Sequence, residues 1–111
     1  MHGSRLAVAV SHGEGRTQFQ ADADLQHCQS QRLVACRYIT NRGEPARQYP
    51  ANPNGAVQAI AALTTADGRV TATMPHPERV YRTAQNSWHP HGAGEHSGWM
   101  RMFRNARVWL G

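Results

Sequence analysis

The sequence predicts an α/β chain that holds part of a sheet and a C-terminal helix, and three observations carry that prediction. Residues 6–10, LAVAV, are a short continuous apolar run of the kind found in strands buried on both faces. Two apolar, β-branched runs at 57–65 and 69–74 flank Ala66-Asp67-Gly68, and an Asp-Gly pair between such runs signals a hairpin. Near the C-terminus, Trp99, Phe103, Ala106 and Leu110 recur at steps of four, three and four, which puts them on one helix face.

Taken in order, the run at 6–10 leads directly into SHGEGR at 11–16. Residues 22–31, DADLQHCQSQ, begin with acidic residues and read as a short helix; LVACRYIT at 33–40 reads as a strand. Asn41-Arg42-Gly43-Glu44 is a turn, and YPANPNG at 49–55, with two prolines, two asparagines and a glycine, must be an irregular loop. The hairpin's second strand ends in MPHPER at 74–79. A second irregular stretch, NSWHPHGAGEHSG at 86–98, precedes the last helix, for which Ser97 is the expected N-cap. The middle of the chain offers strand after strand with little helix to cover them, so it reads like the later part of a domain.

A chain of 111 residues suits one small domain spanning 1–111 and can bury roughly two-thirds of the surface its unfolded form exposes. Hydrophobic residues make up 40 % and the mean hydropathy is −0.64, polar for a self-sufficient α/β core. No apolar run approaches the ~18 residues of a membrane span, and no signal-peptide core follows the first residues; a cytoplasmic location without membrane contact is expected. All twelve basic residues are arginine, and the net charge is +5. Aromatic residues do not alternate with these charges as stacking platforms would require, which argues against a nucleic-acid partner. Arg101, Arg104 and Arg107 fall on one face of the last helix as a solvated stripe. Cys28 and Cys36 are eight residues apart with nothing marking the chain as secreted, so both are expected reduced and mostly buried.

Three groups could carry chemistry. In an extended stretch, residues two apart share a side, so His76 and Glu78 would meet across Pro77, the carboxylate orienting the imidazole as in a nucleophile–base–acid triad. The same spacing also occurs in ordinary turns. SHGEGR supplies permissive glycines, a histidine and an acid that could approach a ligand, but its spacing is that of no dinucleotide or phosphate loop. His89, His91, Glu95 and His96 cluster in a glycine-containing loop without the regular structure that fixes metal ligands, so no metal is expected.

Together, SHGEGR at 11–16, YPANPNG through GRVTATMPHPERVYR at 49–82, and NSWHP with WMRMFRNAR at 86–107 resemble the C-terminal glutamine amidotransferase domain of phosphoribosylformylglycinamidine synthases, in the large single-chain form. The resemblance covers essentially the whole chain. It implies the C-terminal part of a class I, flavodoxin-like glutaminase domain working with a Cys-His-Glu triad. His76 and Glu78 match the histidine and glutamate of that triad, His12, Gly13 and Glu14 of the SHGEGR loop would line the glutamine site, and no cofactor binds this part. By the same resemblance, a cysteine attacks the side-chain amide of glutamine, His76 passes the proton to departing ammonia, and Glu78 holds His76. The ammonia then serves a separate synthetase domain that uses ATP and Mg2+ to aminate formylglycinamide ribonucleotide in purine biosynthesis.

The sequence departs from that pattern in one decisive way. The nucleophile of such domains lies in a glycine-rich elbow well before SHGEGR, whereas neither Cys28 nor Cys36 has Gly-x-Cys-x-Gly surroundings. The expectation is a chain inactive alone whose partners are glutamine, the amino-terminal part of the amidotransferase domain and the synthetase domain. AVQA at 56–59 and HGAGEHSG at 91–98 are lesser departures, and His91 and His96 fall within the second. The competing expectation is a non-catalytic remnant that binds an acidic partner through the arginine face of the last helix.

Overall fold

The turn that Asp67-Gly68 signals lies between the second and third strands of a three-stranded antiparallel sheet in the computed structural model, which describes residues 1–11 and 15–111. The chain divides into two compact units, His12–Pro75 and Met1–Ser11 with His76–Gly111.

The unit His12–Pro75 contains helix α1 (Asp22–Ser30) and strands β1 (Val34–Arg37), β2 (Ile60–Thr64) and β3 (Thr71–Thr73), ordered β1-β2-β3 in the sheet. Strand β2 is central and its first three residues are buried, whereas Thr71, Ala72 and Thr73 of β3 are exposed. Pairing of Ala62 with Thr73, Leu63 with Ala72 and Thr64 with Thr71 sets the hairpin register. At its tip, the Gly68 N–H donates to the Thr65 carbonyl at 2.9 Å and Gly68 takes φ +71°, a conformation that costs glycine little. The Asp67 carboxylate accepts from the Thr65 hydroxyl at 2.6 Å and from the Arg69 N–H at 3.2 Å. These bonds, the Thr65 hydroxyl first, hold its carboxyl below the usual range.

Helix α1 starts after Ala21 without a side-chain cap, and Asp22 and Asp24 in its first turn favour the positive end of the dipole. It ends in a Schellman arrangement: the Arg32 N–H donates to the Gln29 carbonyl and the Leu33 N–H to the Cys28 carbonyl at 2.8 Å, with Arg32 at φ 56° where glycine is usual. The buried cluster of this unit is Tyr38, Ala46, Ala56, Ala59 and Ala61, beside the fully buried Ile60. Such a core lets backbones come close but removes little apolar area per residue.

The irregular loop expected at 49–55 is present and is organised by its asparagines. Buried Asn52 donates to the carbonyls of Ala46 and Ala56 and accepts from the Ala56 N–H at 3.1 Å, while Asn54 donates to the Gly15 carbonyl at 2.9 Å and bonds the side chain of Tyr38. The 41–44 turn also forms: the Gly43 N–H donates to the Thr40 carbonyl at 2.9 Å, with Gly43 at φ 85°.

The other unit contains 3-10 turns at Pro77–Arg79 and Thr83–Gln85 and helix α2 (Met100–Leu110). Buried Val80 sits under the crossing where the Ser97 hydroxyl donates to the Val80 carbonyl at 2.5 Å and the Ser97 N–H to the Tyr81 carbonyl at 2.8 Å. Thr83 ties the same crossing through its N–H to the Glu95 carbonyl and its hydroxyl to the Gly94 carbonyl.

Four expectations are corrected. Residues 6–10 do not form a strand: Leu6 and Val10 are exposed, and the helix and short turns of their unit offer no strand edge to pair with. The strand expected at 33–40 is confined to Val34–Arg37, because bulges between Val34 and Arg37 break its register against β2. The run at 57–65 opens with a 3-10 turn at Val57–Ala59 whose Gln58 and Ala59 have φ 48° and 59°, so β2 starts only at Ile60. Helix α2 runs from Met100 and Ser97 caps its entry as expected, its Oγ accepting from the Trp99 N–H at 3.2 Å and its carbonyl from the Met100 N–H at 3.1 Å, while the apolar stripe of the helix is only partly covered. The Trp99 indole Nε1–H donates to the Ala7 carbonyl at 2.7 Å and Phe103 meets Tyr81 edge-on, but Leu110 at the end of the helix is 74 % exposed. Cys36, expected to be buried, is exposed on edge strand β1, and neither cysteine is in a disulfide.

Candidate active site

MPHPER places its histidine–glutamate pair by a different backbone route from the extended one the spacing suggests. Pro77, with φ fixed by its ring, occupies the first position of a 3-10 turn at Pro77–Arg79, and His76 precedes it at φ −110°, ψ 86°. A residue before proline is kept out of the helical region, so His76 stands outside the turn while Glu78 lies within it. The Arg79 N–H closes the turn onto the His76 carbonyl at 3.0 Å. Glu78 thereby folds back toward His76, and His76 Nδ1 lies 2.6 Å from Glu78 Oε1.

An ionised carboxylate can only accept, so Nδ1 carries the proton and donates it to Glu78. Nε2 is then the ring nitrogen able to take up a proton from elsewhere. The His76 side chain is one-third exposed and that of Glu78 a little over half, so the pair is anchored yet reachable from solvent. Pro75 and Pro77 on either side of His76 are buried and fix its backbone. The Glu78 carboxyl is held below its ordinary range, first by the hydrogen bond from His76, with further help from a backbone N–H and the charges of His76 and Arg79. Arg79 Nε lies 3.9 Å from the same oxygen, a rim contact beside the 2.6 Å bond.

His76 and Glu78 are therefore brought together, as a base and its orienter would need. His12, Gly13 and Glu14 lie outside the described residues. The histidines at 89–96 do not converge. His89 Nδ1 faces the carbonyl of adjacent Pro90, His96 Nδ1 lies 3.5 Å from Arg104 Nη2, and no group of three His, Cys, Asp or Glu is arranged around a common point among the described residues. No helix among the described residues is long and apolar enough to cross a membrane. What sequence reasoning missed is the supporting role of Asn52 and Thr17, whose hydroxyl donates to the Ile60 carbonyl at the start of β2 at 3.0 Å. The clustered asparagines of YPANPNG were the available signal for the first; nothing local marked the second.

The profile of the CobB/CobQ-like glutamine amidotransferase domains matches residues 1–110. The chain belongs to that family, and a role in glutamine amidotransfer follows from membership.

Proposed function

We propose that this member of the family supplies the base half of a glutaminase site, with His76 as the proton carrier and Glu78 as the group that orients it. The observation that carries the reading is the 2.6 Å bond between His76 Nδ1 and Glu78 Oε1, held by a proline-initiated turn in a motif that resembles the triad motif of the family. A thiolate from a glycine-rich elbow attacks the side-chain amide carbon of glutamine, and the C–N bond breaks as His76 Nε2 delivers a proton to departing ammonia. Water activated by the same nitrogen then hydrolyses the thioester and releases glutamate. Glu78 keeps Nδ1 protonated throughout and stabilises the imidazolium between the two proton transfers.

Neither Cys28 nor Cys36 stands in such an elbow, so in this reading the nucleophile comes from a segment outside these 111 residues. By resemblance to the phosphoribosylformylglycinamidine synthases, the ammonia passes to an ATP- and Mg2+-dependent synthetase domain that aminates formylglycinamide ribonucleotide. The test is glutamate release from glutamine by the chain alone and mixed with the amino-terminal portion of such a synthase. Activity confined to the mixture, and absent from it when His76→Ala replaces the wild type, is the expected result. Glutamate release that survives the substitution in an associated, folded mixture would sink the reading.

A further inference from the structure

The His12–Pro75 unit carries an open cavity of about 690 Å³, a size that accommodates a small molecule. Among the described residues its lining includes two arginines, Arg37 and Arg47, and no aspartate or glutamate. The ion pairs among the described residues join Arg69 to Asp67 and Glu78 to His76 and Arg79, so neither guanidinium in the cavity has a carboxylate partner there. A third, Arg16, lies close to the lining, its Nη1 3.7 Å from the point a Cβ on lining residue Gly55 would occupy.

The wall facing these charges is built at a conformational cost. Gln58 and Ala59 line the cavity at φ 48° and 59°, a region that non-glycine residues adopt only where the surroundings enforce it. Two groups enforce it here. Arg37 Nη1 donates to the Gln58 carbonyl at 2.5 Å, and Asn52, also in the lining, locks Ala46 and Ala56 with three hydrogen bonds. Arg37 thus spends one of its five donors on the wall, which positions its guanidinium at the cavity, while Arg47 is exposed.

We infer that this cavity is a binding site for a small oxyanion, a carboxylate or a phosphate group of a low-molecular-weight ligand, held between Arg37 and Arg47. Planar guanidinium forks match the paired oxygens of both groups, and two of them with no counter-charge among the described lining residues leave the anion to supply the neutralisation. Neither His76 nor Glu78 is among the lining residues, and the proposal does not depend on the reading of that pair.

The experiment is calorimetric titration of the whole chain with inorganic phosphate and, separately, with succinate, at constant ionic strength so that general screening is the same throughout. Saturable one-to-one binding of either anion supports the site, and which anion binds identifies the source. Arg47→Gln removes an exposed charged donor, and it is expected to weaken binding about ten-fold, the loss of one charge-assisted contact. Arg101→Gln, on helix α2, removes the same charge elsewhere and is expected to leave binding unchanged. Absence of saturable binding for both anions, or equal weakening by Arg47→Gln and Arg101→Gln, would overturn the proposal.

Discussion

At the scale of single residues, the His76–Glu78 pair turns on one proton. The hydrogen bond from His76 is the main reason the Glu78 carboxyl titrates below its ordinary range. A folded-state value depressed below the unfolded one means the interaction stabilises the fold above the unfolded carboxylate range, and that this contribution is lost as pH falls through the folded value. Carbon-detected NMR of the Glu78 carboxyl should therefore show a midpoint below that of a free glutamate. In His76→Ala the midpoint should move back upward, and an unchanged midpoint would mean that the bond does not set it. Asn52 is the structural counterpart. Its amide satisfies two carbonyls and one N–H in a buried position, so Asn52→Ala should cost about 1–3 kcal/mol in urea unfolding, because those backbone groups are left without partners.

At the scale of elements, the legible parts were those whose cause is local. Asp67-Gly68 needs only its own backbone and the Thr65 hydroxyl to make a hairpin tip, and the acidic start of α1 needs only the helix dipole. The proline in MPHPER was visible too, but whether it extends the chain or starts a 3-10 turn depends on the buried positions of Pro75 and Pro77. Residues 6–10 failed for the same kind of reason: an apolar run becomes a strand only when another strand presents an edge to it. The left-handed residues after α1 and before β2 carry no composition signal at all, since Arg32, Gln58 and Ala59 are not residues that seek that region. Arg32 tests that view directly. Arg32→Gly should raise stability by about 0.5–1 kcal/mol by relieving the strain at the Schellman position, read as a higher urea midpoint at unchanged slope. A lower midpoint would show that the arginine side chain contributes more than its backbone strain costs.

At the scale of the molecule, each unit rests on few large buried side chains: Ile60 within His12–Pro75 and Val80 within the other are the only large side chains that are fully buried among the described residues. Ile60→Ala should accordingly cost about 2–5 kcal/mol, a large fraction of the stability of a domain this size. The polar composition had indicated a sparse core, whereas its concentration in alanines around Tyr38 could not be read from percentages. Membership in the CobB/CobQ-like glutamine amidotransferase domains is consistent with the proposed role of His76 and Glu78, a pair held by a proline-initiated turn. The most direct test of that assignment is kcat/KM for glutamine hydrolysis in the mixture with the nucleophile-bearing portion, comparing wild type, His76→Ala and Glu78→Gln. The account predicts a loss on the order of 10⁴ or more for His76→Ala and a smaller but large loss for Glu78→Gln, since a triad's orienter costs less to remove than its base. A His76→Ala mixture within about ten-fold of wild type, less than a general base ordinarily contributes, would contradict it.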